Sequence, residues 1–232
     1  MVKQHMLRLS APYSWQIPRK IKAFITRPMP GPHAQTDSMP LLVVCRDILK
    51  LADTEKEGNY VLKNKSILVD GKRRKEKKFP VGFMDVLAIK DLGKNFRVIL
   101  DSRGKLRFKE ISDAEAKFKL AKIVGVREIG KNKFQINLYD GKNFVSAKKA
   151  KLGDALVYDF EKGVGEVLEL KNGAYVYLTA GNHTNCAGIV SEILPRKVAE
   201  DEIIIECKGE KIRTLKKHAY VIGKEKPYIN VD

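Results

Sequence analysis

Six of the seven side chains between Gly71 and Phe79 are cationic: Lys72, Arg73, Arg74, Lys75, Lys77 and Lys78, with Glu76 as the one acid. Such a run repels itself unless something anionic compensates it, and it cannot enter a core, because a buried charge is tolerated only when paired. The apolar segment Ile67-Leu68-Val69 and an Asp70-Gly71 turn signal precede it, and Met84-Asp85-Val86-Leu87-Ala88-Ile89 follows it. That order predicts a projecting loop between two strands. A charged loop on a folded base suits phosphate binding better than a loose tail does.

The whole chain carries the same bias, with 45 Lys or Arg against 28 Asp or Glu and a net charge of +17 over 232 residues. The excess is uneven. Residues 1–105 hold 22 basic and 10 acidic side chains, whereas residues 106–232 hold 23 and 18. The anion-binding surface is therefore expected mainly in the first half, and RNA or DNA is the obvious partner, although anionic lipid and heparin-like glycans attract the same charge. An apolar content of 44% excludes wholesale disorder, and short strand-like segments point to several small domains. No apolar run reaches the roughly 20 residues of a membrane span, and the first residues lack a secretory core, so the reading is cytoplasmic with no membrane partner.

Cys45, Cys186 and Cys207 are odd in number and widely spaced, which predicts reduced thiols and no zinc ribbon. His183 and Cys186 stand three apart but have no second ligand pair, so neither a metal nor any other cofactor is expected. No phosphate loop, nucleophile elbow or zincin pair occurs. Asp85, Asp91 and Asp101 form no catalytic signature, and His5, His33, His183 and His218 are isolated. The chain reads as a binding protein with no small-molecule substrate and not as an enzyme.

Residues 1–39 predict a basic extended arm: six Lys or Arg and no acid occur before Asp37, and Pro12, Pro18, Pro28, Pro30 and Pro32 exclude a long helix. Tyr13, Trp15 and Phe24 lie among Arg19, Lys20, Lys22 and Arg27, so rings can stack on bases or on the protein while the cations meet phosphates. Ser38 is the expected N-cap of a helix whose apolar stripe is Leu41, Val44, Cys45, Ile48 and Ala52, with Arg46 and Lys50 sharing another face. Thr54 and Glu57 make a capping box for a second helix towards Lys65, with Gly58 weakening its middle. Helix, turn, helix, strand, basic loop and strand thus follow one another over 41–89, bringing Arg46, Lys50, Lys56, Lys63 and Lys65 near the cationic run.

Downstream, residues 96–100 and 106–108 predict a hairpin over Ser102-Arg103-Gly104-Lys105. Ser112 and Glu115 suggest a second capping box opening a short helix through Ala121. Strands follow at 123–129, 134–139 and 144–147, divided by Gly130-Lys131-Asn132 and Asp140-Gly141, and a last hairpin joins 202–207 to 212–215 across Lys208-Gly209-Glu210-Lys211.

The order over 41–89 resembles the alpha-L motif, a small RNA-binding domain that ribosomal proteins, pseudouridine synthases and tyrosyl-tRNA synthetases all carry. Together with Gly31-Pro32-His33, Phe79-Pro80-Val81-Gly82-Phe83-Met84-Asp85-Val86, Asn95-Phe96-Arg97 and Tyr220-Val221-Ile222-Gly223-Lys224, essentially the whole chain resembles the archaeal and eukaryotic type of small-subunit ribosomal protein four. The stretch from Ala174 to Val190 resembles the KOW motif of SH3-like barrels; Gly181 and Gly188 match, whereas Asn185 and Cys186 replace the usual Gly and a frequent cation. Asn tolerates the left-handed backbone that Gly would supply.

The resemblance implies an α+β, multi-module fold: arm 1–39, alpha-L domain 40–93, central β-rich domain 94–170, and KOW-like barrel with the C-terminal segment 171–232. It further implies small-subunit ribosomal RNA and neighbouring ribosomal proteins as partners, a place in the cytoplasmic ribosome, and no catalysis. The expected RNA contacts are the arm and helical cations named above, the run 72–78 and His33. A free-standing RNA-binding regulator or chaperone shares this charge logic; an RNA-modifying enzyme needs a catalytic body that leaves no room for these modules.

Overall fold

The computed structural model describes residues 5–130, 133–146, 150–197, 199–207 and 209–231. The chain divides into two compact units, the first formed by Met1–Ile99 with Lys105–Lys117 and the second by Leu100–Gly104 with Phe118–Asp232. Strand dominates both; among the described residues the α- and π-helical elements lie in the first unit, and the second has only a 3-10 turn over Lys216–His218. Lys131, Asn132, Ala147 and Lys208, in the expected turns and strand end, lie outside the described residues.

In unit 1, β1 (Met6–Leu7) pairs with β2 (Phe24–Ile25), and β3 (Ser38–Pro40) pairs with β6 (Pro80–Gly82). A five-stranded sheet runs in the order β5-β4-β7-β8-β9, with β4 (Ile67–Val69), β5 (Lys72–Arg73), β7 (Val86–Ile89), β8 (Lys94–Leu100) and β9 (Leu106–Ile111). Helix α1 (Leu41–Val43) widens into a π-helical turn over Val44–Ile48, and α2 (Glu55–Asn64) follows.

The arm is not extended as expected. Trp15 is 1% exposed, and its indole N–H donates to the Ser38 carbonyl at 2.7 Å, so a ring placed among cations became the anchor that folds the arm back. The first helix also differs from its expectation. Leu41 to Cys45 are all fully buried, so the element has no solvent stripe and is packed all round. Ser38 is in a strand and its hydroxyl donates to the Ala34 carbonyl at 2.7 Å, so it caps nothing. Lys50, at φ 52°, lies beyond the helix in the left-handed region, where the Leu51 amide closes back on the Cys45 carbonyl at 2.8 Å. The capping box of α2 is present, with the Glu57 amide donating to the Thr54 hydroxyl at 3.2 Å. Gly58 earns its place sterically, since a Cβ there would sit 2.4 Å from Leu42 Cδ1.

Unit 2 holds two five-stranded sheets. One has the order β12-β11-β10-β13-β14, from β10 (Phe118–Gly130), β11 (Lys133–Leu138), β12 (Asn143–Ser146), β13 (Ala155–Asp159) and β14 (Gly163–Leu168). The start of β10 pairs with β13, from Phe118 opposite Asp159 to Lys122 opposite Ala155, and the rest pairs with β11. The helix expected through Ala121 is only a 3-10 turn over Glu115–Lys117, because this strand pairing takes the chain from Phe118 onward. Ala121, Ile123, Ile136, Leu138, Ala150 and Leu156 form the core beneath.

The other sheet has the order β18-β17-β16-β15-β19, from β15 (Tyr175–Leu178), β16 (Ala187–Leu194), β17 (Glu202–Cys207), β18 (Glu210–Leu215) and β19 (Ala219–Gly223). A Cβ at Gly188 would meet the Glu206 carbonyl oxygen at 2.2 Å, so β16 and β17 come together there only because the position has no side chain. The three cysteines are free thiols, and burial pushes that of Cys45 up to about 12.

Candidate nucleic-acid interface

The cationic run starts on a strand and ends against a helix. Asp70 and Gly71 have φ values of 50° and 74°, the two left-handed positions of a tight hairpin, and this turn folds β5 back onto β4 with Val69 opposite Lys72. The run therefore does not project as the expected loop. It crosses the start of α1, whose first amides have no side-chain cap and take carbonyls of the run and of the residue after it instead: Leu41 donates to Phe79 at 2.9 Å and Leu42 to Lys77 at 3.0 Å. The Met29 amide adds a bond to the Lys78 carbonyl at 2.9 Å. Peptide groups, which carry no net charge, do the anchoring.

The side chains of the run divide into two sets. Arg73 donates to the Lys63 carbonyl at 3.0 Å, near the C-terminal end of α2, where a cation is favoured. The Arg74 guanidinium lies 4.4 Å from the centre of the Phe79 ring, a cation–π contact, and the Lys77 ammonium meets Glu55 at 2.7 Å. That hydrogen bond holds the Glu55 carboxyl below its usual range. The ammonium groups of Lys72, Lys75 and Lys78 have no hydrogen-bond or ion-pair partner among the described residues, and neither do those of Lys56, Lys63 and Lys65 on and just after α2. All six except Lys78 are exposed, and Lys78 is half-buried.

Other expected contacts are engaged elsewhere. Arg46 is bound through two nitrogens by its neighbour Asp47, at 2.9 and 3.2 Å, and the buried Arg8 lies 3.6 Å from the same carboxylate. Arg19 donates to the carbonyls of Ala11 at 2.6 Å and Pro12 at 2.9 Å, which makes it a staple of the folded arm. His33 departs furthest from its expected role. Its ring is sealed inside, with Nε2 2.9 Å from the Asp85 carboxylate, and occupies the space that a side chain on Gly82 would need. It serves the fold and presents nothing to a phosphate. Lys20, Lys22 and Lys50 are exposed and Arg27 is half-buried. The sequence reading missed Phe79, Asp47 and Glu55, which decide which cations stay open; the aromatic residue immediately after the run was the available signal.

In unit 2 the loop between β15 and β16 is compact. Asn185 takes φ 72°, the left-handed backbone expected of it, and its side-chain oxygen lies 3.0 Å from the Tyr177 hydroxyl. Its exposed tip, Asn182 and His183, carries no Lys or Arg. Among the described residues no group of three potential ligands could hold a metal. No helix there is long and apolar enough to cross a membrane.

Residues 92–164 match Ribosomal family S4e, and residues 2–36 match the RS4NT (NUC023) domain. The small ribosomal subunit protein eS4 of Methanococcus maripaludis is 38% identical over 99% of this chain and 98% of its own length, and that of Methanocaldococcus jannaschii gives the same figures. The crystal structure of the 30S ribosomal protein S4e from Thermoplasma acidophilum superposes with a TM-score of 0.71 at 34% identity, covering 81% of this chain and 96% of that one. Relatives that align end to end, together with a solved structure of the same mostly β architecture, place the chain in the S4e family of ribosomal proteins.

Proposed function

We propose that this chain is a structural constituent of the small ribosomal subunit that holds ribosomal RNA by its phosphates, chiefly through unit 1. Its relatives bear the names of small-subunit ribosomal proteins, which supports a place in the ribosome of the cytoplasm, RNA and other ribosomal proteins as partners, and a role without catalysis. The carrying observation is the set Lys72, Lys75 and Lys78: ammonium groups without a partner among the described residues, on a segment whose backbone is tied to α1. A surface fixed in advance loses little conformational entropy when it meets a folded RNA. Lys56, Lys63, Lys65 and Lys50 extend it, and Lys20, Lys22 and Arg27 add the arm.

The finer modules belong to this reading. Two helical elements, a hairpin and a basic segment within 40–93 support an alpha-L domain, and the glycine-bearing loop between β15 and β16 supports a KOW-like barrel within 171–232. With no cation at its tip, that loop serves as scaffold or protein contact. The proposed central domain, 94–170, contributes strands to both compact units.

Filter binding of a small-subunit ribosomal RNA fragment across a salt series tests the assignment. Replacing Lys72, Lys75 and Lys78 together by Ala lowers affinity roughly a hundred- to a thousandfold near 0.1 M salt and flattens the log–log slope by about 2 to 3. The melting temperature moves little, because ammonium groups that meet no partner among the described residues contribute little to stability. An unchanged slope removes the run from the interface.

A further inference from the structure

A second cationic row lies on the edge of the first sheet, and next to it stands an exposed ring. β9 is an edge strand, and side chains two apart on a strand share a face, so Arg107 and Lys109 continue the line begun by Lys105 just before the strand. The opposite face takes Leu106, 1% exposed, and Glu110, whose carboxylate lies 3.7 Å from the Lys94 ammonium. The row repeats about every 7 Å, the stride of alternate residues, which is commensurate with successive phosphates of an extended nucleic-acid strand.

The arm delivers the ring. The Leu106 amide donates to the Ser14 carbonyl at 2.8 Å, and this backbone bond sets Tyr13 at the head of the row with the Lys105 ammonium 5.3 Å from its ring centre. Ser14 also donates through its hydroxyl to Thr36, and Trp15 is buried against Ser38, so two fixed neighbours hold Tyr13 in place. Yet Tyr13 itself is 69% exposed. An anchored ring turned to solvent beside a line of cations is the arrangement that binds unpaired strands: the cations track the backbone and a base stacks on the ring. Duplex RNA offers no free base face to such a ring.

We propose that Tyr13, Lys105, Arg107 and Lys109 form a binding site for an unpaired RNA strand, separate from the phosphate surface of the run 72–78. The site rests on the RNA-binding reading above and names the kind of RNA it takes.

Fluorescence anisotropy on the full chain tests it, with a fluorescein-labelled oligouridylate of about ten nucleotides and a blunt RNA duplex of equal length as probes. Tyr13→Leu weakens oligouridylate binding about tenfold and leaves the duplex unchanged, and Tyr13→Phe restores it. Arg107→Gln with Lys109→Gln flattens the oligouridylate salt slope by about 1 to 1.5. Equal losses on both probes, or oligouridylate binding indifferent to Tyr13 and both cations, overturn the site and leave the face to a protein neighbour. The variant lacking Lys72, Lys75 and Lys78 separates the two ideas: if it alone loses the ribosomal fragment, the RNA-binding reading stands while this site falls.

Discussion

The two units use their charge in opposite ways. Unit 1 carries 24 Lys or Arg with 12 Asp or Glu, and unit 2 carries 21 with 16. In unit 2 cations are spent internally: Lys119 and Lys142 flank Asp140, Arg196 and Arg213 share Glu202, and Lys216 and Lys217 meet Asp201 and Glu200. In unit 1 the cationic run is fastened by its peptide groups, and half of its cations meet no partner among the described residues. Positive charge alone thus does not mark a binding surface. What marks it is charge that the fold holds in place without neutralising it.

The largest expected effect attacks the arm. Trp15→Ala removes a fully buried indole and its hydrogen bond, for a loss of about 3–5 kcal/mol in urea unfolding. It also releases Lys20 and Lys22 from their fixed positions, so RNA affinity falls with stability and trypsin cuts the arm sooner. Full protection from trypsin in the variant contradicts the anchor.

Next comes the counterpart in unit 2. Asp140→Asn takes the Asp140 charge away from Lys119, 2% exposed, and costs about 3 kcal/mol while RNA affinity per folded molecule stays the same. Burial acts to raise the Asp140 pKa, but Lys119 and Lys142 outweigh it and hold the carboxyl below its ordinary value. The sign follows: with the folded value depressed, the stabilisation is complete above about pH 4 and is lost as pH falls through the folded value. Denaturation curves on the acid side show that decline in the parent chain and not in the variant. If the variant instead lost RNA affinity, the contrast between the units would collapse.

How much of this was readable beforehand depends on whether a signal was local. The Asp70-Gly71 hairpin, the Thr54 and Glu57 capping box and left-handed Asn185 were legible because a few adjacent residues decide each of them. The fates of Ser38, Trp15 and His33 were not, because partners far along the chain decide them: Trp15 meets Ser38, and His33 meets Asp85. The cationic run was visible as charge. Its division into open and engaged members was not, since Glu55 and the Lys63 carbonyl reach it only after α2 has folded. The stop of the first helix at Ile48 was hidden too, because an apolar stripe looks alike on a helix packed on one side and on one packed all round.

A smaller effect tests the loop of unit 2. Asn185→Ala puts a side chain with no left-handed preference at φ 72° and removes the contact with Tyr177, for about 1–2 kcal/mol in thermal unfolding. Asn185→Gly recovers most of the backbone share. Neither alters RNA affinity if the loop is scaffold; a loss of binding with intact stability makes it an RNA contact and narrows the difference between the units.

The smallest effect is the most discriminating. Glu55 and Lys77 are 53% and 34% exposed, so their pair is worth at most about 1 kcal/mol, and Glu55→Gln barely moves the melting temperature. For RNA the same change frees one more cation on the anchored run. Affinity for the ribosomal fragment rises several-fold at about 0.1 M salt, and the slope steepens by up to roughly 0.9. The matched change in unit 2, Glu200→Gln beside Lys217, frees a cation that is more exposed, 55% against 34%, and leaves both quantities where they were. Charge gained is equal in the two variants, so a difference between them in filter binding measures position alone. Equal gains would mean that RNA responds to net charge and not to the surface that unit 1 builds.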